Sequence, residues 1–137
     1  MAPSRDLPRV LLALRLTVFL VMLMWTIDKL IRPEHAAAVF GHFYGLAGIG
    51  PAAFLALGVA ELLLLLAFVA GAWKRLSYGL VLLLHGVSTL SSYRQYFDPF
   101  EGTNLLFFAA WPMLAAAWGL YLLRDEDTLA TVAGRRG

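Results

Sequence analysis

An acidic side chain and an imidazole, each set deep in a long apolar stretch, are the residues of this sequence best placed to do chemistry. Glu61 lies inside LALGVAELLLLLAFV and His85 inside LSYGLVLLLHGVSTLSS. An ionisable group surrounded by hydrocarbon is costly, and it usually faces a partner or a cavity. Glu61 is about ten residues, or about 15 Å, from the outer end of its stretch. His85 is about nine residues from the inner end of the next, so two antiparallel helices would bring both to one depth. Tyr78, His85, Ser88, Thr89 and Ser92 fall within about a third of the helix circumference. That stripe is expected to face inward. Glu61, His85, Tyr78, Ser88 and Thr89 together form a candidate intramembrane polar site.

Two readings of Glu61 with His85 stand side by side. In one they are an acid and base lining a small cavity, able to accept or relay a proton for a hydroxyl, a quinone or a similar lipophilic ligand. In the other they form an internal hydrogen bond that fixes helix packing. Position alone does not separate the two. Two other charged positions are informative. Asp28 is level with Arg94 across the outer helix ends, and an Asp28–Arg94 ion pair is expected there. Arg15, about a turn and a half inside the first apolar stretch, is expected to snorkel to the headgroups.

The remaining constellations carry less. His35 and His42 lie outside the apolar stretches and His85 deep within one, so the histidines do not make a metal or haem ligand set. The chain has no cysteine, which removes thiolate chemistry and disulfides. GxSxG, HExxH, Walker and GxGxxG motifs are missing, so no catalytic motif supports an independent enzyme and a subunit is the favoured reading. Asn104, Trp111 and Trp118 repeat every seven residues, a stripe read as packing and interface anchoring. No run of basic residues with interleaved aromatics points to nucleic acid.

The elements that must position these residues follow from composition. Of 137 residues, 61% are hydrophobic and 15% charged, far more apolar than a soluble domain. Four transmembrane helices are expected, over about 10–31, 52–73, 76–92 and 104–123, with short connections. They form one domain, an all-α integral membrane four-helix bundle. Arg5 and Arg9 resemble a signal peptide's basic region, but the apolar core that follows is too long for one and is expected to stay as an anchor. Gly48, Gly50 and Pro51 open the second span, and Lys74 and Arg75 mark a tight hairpin to the third. Gly58, one turn before Glu61, allows a close helix approach. Pro112 could bend the fourth span. The polar tail 124–137 is expected to fray.

Orientation follows from lysine and arginine. Arg5, Arg9, Lys74, Arg75, Arg124, Arg135 and Arg136 collect at one side, against Lys29, Arg32 and Arg94 at the other. The bias places both termini in the cytoplasm. The outer connections then hold Glu34, His35, His42, Asp98 and Glu101 with the aromatics Phe40, Phe43, Tyr44, Tyr93, Tyr96, Phe97 and Phe100. These aromatics are either a recognition surface or headgroup-level anchors.

The segment LALGVAELLLLLAFVAGAWKRLSYGLVLLLHGVSTLSS, with Gly58, Glu61, Gly71, Lys74 and Arg75 at its marked places, resembles helices two and three of the DoxX-like family of small membrane proteins. LRLTVFLVMLMWTIDKLIRP resembles the family's first helix through Arg15 and Lys29, although the usual central glycine is missing. The resemblance covers roughly two thirds of the chain. It implies a four-helix bundle in a bacterial cytoplasmic membrane and association with quinone-linked redox systems, as an accessory or membrane subunit. The cofactor stays unknown from the sequence, with a quinone or other lipophilic ligand as the candidate, and the expected partners are the lipid bilayer and a protein partner or a second copy. The alternatives are an oligomeric carrier or permeation unit for a small solute, and a purely structural assembly subunit.

Overall fold

Long runs of leucine, valine and alanine without internal proline favour helix throughout the chain. The structure, a computed structural model, describes residues 4–35, 37–38 and 50–132. Helix α1 spans Leu7–Ile31, α2 Pro51–Val69, α3 Lys74–Ser91, the short α4 Tyr93–Phe97 and α5 Ala110–Leu122. A 3-10 turn, Asn104–Ala109, leads into α5. Among the described residues every regular element is helical. Helix α1 packs on α2 and α5, and α3 packs on the same two, which closes a ring of four long helices.

Three segments are long and apolar enough to cross a membrane: Leu7–Ile31, Ala52–Val69 and Asn104–Leu122. The sequence led us to expect four. Helix α3 is 18 residues long but carries Lys74, Arg75, Tyr78, His85, Ser88 and Thr89, and is too polar to join that group by composition. The second helix stops at Val69 rather than Trp73 for a local reason. Gly71 takes a left-handed φ of 65°. Its N–H donates to the Phe68 carbonyl at 3.0 Å, and that of Ala72 to the Ala67 carbonyl at 2.9 Å. This paired arrangement ends helices on a glycine. Trp73, also left-handed at φ 44°, then starts α3, and the Ser77 hydroxyl holds the corner by donating to the Ala72 carbonyl at 2.8 Å.

The fourth expected span is two pieces. Pro112 is the third residue of α5, where its missing N–H would have no intrahelical partner. The proline thus opens a helix instead of bending one, and the residues before it wind as the tighter 3-10 form. The largest departure is the tail. Residues 124–132 fold back across the end of the helix ring: Asp127 is fully buried, and the Val132 N–H donates to the Ala70 carbonyl at 2.9 Å. Gly71 is needed here too, because a Cβ at that position would lie 2.5 Å from Thr131 Cγ2. The start of α1 and the end of the described chain therefore share one end of the molecule.

The outside of the molecule carries large apolar side chains as its centre does, unlike a water-soluble protein. Leu11, Val18, Leu65, Phe68, Tyr78, Val81 and Leu120 make a small apolar centre. Buried with it are Arg15, Thr26, Lys29, Lys74, Ser77, Thr89 and Asp127. The outward faces carry large apolar side chains, among them Leu20, Met24, Leu63, Leu83, Leu90 and Trp118, each more than half exposed. A water-soluble domain rarely leaves so much contiguous apolar surface uncovered.

Candidate functional site

Two ionic clusters lie on the inner face of α1. That face reads Leu11, Arg15, Val18, Met22, Thr26 and Lys29, a helical repeat of three and four residues. Arg15 and Lys29 are separated by fourteen residues, about 21 Å along the axis. Each anchors one cluster.

The first cluster surrounds Arg15, which is 0% exposed. Its Nη1 donates to Asp127 Oδ1 at 2.8 Å and its Nη2 to the Leu129 and Ala130 carbonyls at 2.6 and 3.2 Å. Tyr78 donates its hydroxyl to Asp127 Oδ2 at 2.5 Å, and its ring stacks edge-on against Phe68 at 5.0 Å. Lys74 Nζ donates to the Arg124 carbonyl at 2.9 Å and to the Asp127 carbonyl. The tail thus supplies acceptors to two cations from two helices. Arg15 does not snorkel to the headgroups, because a carboxylate and carbonyls meet it inside. Asp127 was missed in the sequence because it lies in a polar segment beyond the last apolar run. The only hint was a buried arginine needing an acid.

The second cluster is built on α1 and α2. Lys29 Nζ donates to Glu61 Oε1 and Oε2 at 2.7 and 2.8 Å, and Thr26 donates to Glu61 Oε2 at 3.1 Å. The side chains are only 10% and 18% exposed. Gly58 makes the approach possible: a Cβ there would sit 2.9 Å from Leu30 Cδ2 and 3.4 Å from Lys29 Cβ. The close helix approach expected at Gly58 is present.

Glu61 and His85 are consequently turned to different neighbours. Glu61 faces α1, whereas His85 Nε2–H donates to the Ala110 carbonyl of α5 at 2.9 Å. A cation one helix away outcompetes an imidazole for the carboxylate, since hydrogen bonds between charged groups are roughly twice as strong. The polar stripe of α3 is divided as well. Thr89 donates to its own helix at the His85 carbonyl, 2.7 Å away, and Ser92 to the Ser88 carbonyl at 3.0 Å. Tyr96 folds inward, donating to the Thr89 carbonyl at 2.8 Å and lying 5.3 Å from the Trp111 ring centroid. Of the five candidate polar residues, Tyr78 joins the Arg15 cluster, Glu61 the Lys29 cluster, His85 bridges α3 to α5, Thr89 bonds back to its own helix, and Ser88 accepts from Ser92 through its backbone carbonyl.

The outer ion pair is made within one helix end. Asp28 Oδ1 accepts from Arg32 Nε at 2.8 Å, and Oδ2 lies 2.7 Å from His35 Nδ1. Arg94 instead lies over the Tyr93 ring, 5.8 Å from its centroid. Arg32 wins because it sits four residues along the same helix as Asp28. With Arg32 59% exposed, the pair is worth about 1 kcal/mol or less. Asp28→Asn is therefore expected to shift unfolding only slightly. A double-mutant cycle should find coupling of Asp28 with Arg32 and additivity with Arg94; strong coupling to Arg94 would contradict the geometry. His42, Phe40, Phe43, Tyr44, Arg135 and Arg136 lie outside the described residues.

One apolar groove runs along the outer face between α3 and α5. Leu82, Trp111, Leu114, Ala115 and Trp118 line this open groove, whose volume is about 410 Å³. His85 is one turn beyond Leu82, and its hydrogen bond ends next to Trp111. No family model, curated protein or solved structure matches the chain.

Proposed function

We propose that this chain is a membrane-embedded four-helix bundle that serves as an accessory subunit of a quinone-linked redox system. The observation that carries the membrane reading is the apolar outer surface. Charged and hydroxyl side chains pair inside the ring of helices while leucine, methionine and tryptophan cover its outside. In lipid that surface is solvated and the buried ion pairs are where such groups belong. Helix α3, too polar to qualify by composition, crosses with the others because its polar residues point inward or into the hairpin corner.

A subunit fits the interior better than a carrier does. Between the Arg15 and Lys29 clusters stand Val18, Leu65, Phe68 and Val81, each at most 3% exposed. A permeating solute would meet a packed apolar layer there. Support for a lipophilic ligand comes from the groove beside His85, where two tryptophans could flank a flat ring and the free Nδ1 of His85 could meet a polar substituent. The redox partner itself rests on the resemblance to the DoxX-like family and on no contact within this chain. Both termini are taken as cytoplasmic from the lysine and arginine bias.

Membrane fractionation followed by purification in mild detergent tests the reading. The protein is expected to resist alkaline carbonate extraction and to bring a redox protein and a quinone with it. A single cysteine at Glu34 should react with an impermeant thiol reagent added outside cells, and one at Thr128 should not. Release by carbonate would end the membrane reading. Purification without quinone or redox protein would end the redox assignment alone.

A further inference from the structure

The loop between α4 and the 3-10 turn displays two phenyl rings and covers neither. Phe97 and Phe100 are 86% and 87% exposed, more than any other large apolar side chain among the described residues. They lie at the end of the bundle opposite the tail, because α3 starts beside the tail at Lys74 and runs away from it. The loop is not slack. Pro99 fixes one φ, the Asp98 carbonyl accepts from Asn104 Nδ2 at 2.9 Å, and the Glu101 carbonyl accepts from the Asn104 N–H at 3.0 Å. Gly102 takes the left-handed φ of 52° that turns the chain. Rings held on a hydrogen-bonded turn lose little freedom when something covers them, as preorganised anchors require.

Charge decides what that cover is. Asp98 stands between the rings and Glu101 follows the second. Both are exposed, and among the described residues neither carboxylate has an ion pair. Arg94, four residues before Asp98, is turned over the Tyr93 ring instead. Pressing Phe97 and Phe100 into lipid would draw both carboxylates toward hydrocarbon, where a charge is costly. Trp111 and Trp118, on the outer groove, have no charged residue within four positions. Asp98 and Glu101 instead line an open cleft of about 550 Å³ with Thr103 and Asn104. From this we infer that the loop 97–104 docks a water-soluble protein whose contact site is an apolar pocket rimmed by lysine or arginine. The rings fill the pocket, as aromatic anchors do at interface centres. Asp98 and Glu101 meet the basic rim, which fixes orientation and speeds encounter. The inference names the kind of partner that the accessory-subunit reading needs, and it rests on that reading.

The test places the photo-reactive residue p-benzoylphenylalanine at Phe100 of the full-length protein, irradiates intact cells and identifies the adducts by mass spectrometry. The same residue at Leu83, exposed on α3, is the lipid-facing control. Phe100 is expected to give a protein adduct through a peptide flanked by lysine or arginine, and Leu83 only lipid adducts. Asp98→Lys combined with Glu101→Lys should lower the Phe100 adduct by about tenfold, and Phe97→Ala by about fivefold. Salt at about 0.5 M, applied to spheroplasts, should weaken it as well. Either variant serves if the other fails to insert. A protein adduct indifferent to charge reversal, an adduct with a second copy of the chain, or no adduct would overturn the inference. Lipid adducts alone at Phe100 would overturn it too, and make the rings headgroup anchors. Carbonate extraction of the same cells separates the two claims. A protein that resists extraction yet gives no adduct loses the docking surface alone, whereas release by carbonate ends the membrane reading beneath it.

Discussion

Asp127→Ala is expected to be the most damaging single substitution in the chain, at about 3 to 5 kcal/mol, because it strands a fully buried guanidinium. The side chains of both Arg15 and Asp127 are 0% exposed, so water does not rescue the cation as it would at a surface. The loss reaches further than one bond. Tyr78 loses its acceptor, and the tail that brings carbonyls to Arg15 and Lys74 loses its central anchor. Equilibrium unfolding in mixed micelles, with sodium dodecyl sulfate as denaturant, measures the effect. Arg15→Met combined with Asp127→Leu should recover part of the loss, since replacing both members of a buried pair with apolar groups is often neutral. Recovery will be partial, because the Leu129 and Ala130 carbonyls still lose their donor. A coupling energy of about 1.5 kcal/mol or more is expected. Destabilisation below about 1 kcal/mol for Asp127→Ala would mean that the tail does not dock as described.

What the sequence revealed and what it concealed divide along a physical line. Long apolar runs announce themselves by composition, so α1 and α2 were found within a few residues of their starts, and the tight hairpin was marked by Lys74 and Arg75. The depth of Glu61 and His85 in their helices was also legible, because rise per residue is fixed. Partner choice was not. Whether Glu61 meets His85 or Lys29 depends on the rotation of each helix about its axis and on the close approach at Gly58, and neither appears in a linear pattern. Lys29 was passed over as an end-of-span lysine although it falls on the face shared by Arg15 and Thr26. The sequence also treated a polar tail as solvated. Tails that satisfy a buried charge look like any other polar segment until the charge they satisfy is located.

Glu61→Gln tests the second cluster and is expected to destabilise the protein by about 1.5 to 3 kcal/mol, the range for a hydrogen bond to a charged group. The smaller effect than at Asp127 follows from exposure, since the Lys29 and Glu61 side chains retain 10% and 18% of theirs, and the lysine can reorient its ammonium outward. Glutamine keeps an acceptor for Thr26 and Lys29, which isolates the charge. Lys29→Met should cost a similar amount, and the pair together less than the sum, because the two changes remove one interaction. His85→Gln offers the contrast. If His85 braces α3 on α5 through the Ala110 carbonyl, its effect should add to that of Glu61→Gln with no coupling. The apolar layer of Leu65 and Phe68 lies on the same helix as Glu61, one and two turns further along, so the disturbance should not reach Arg15. Coupling of Glu61 to His85, measured in the same micellar unfolding assay, would restore the acid–base pair that their depth first suggested and displace Lys29 as the partner.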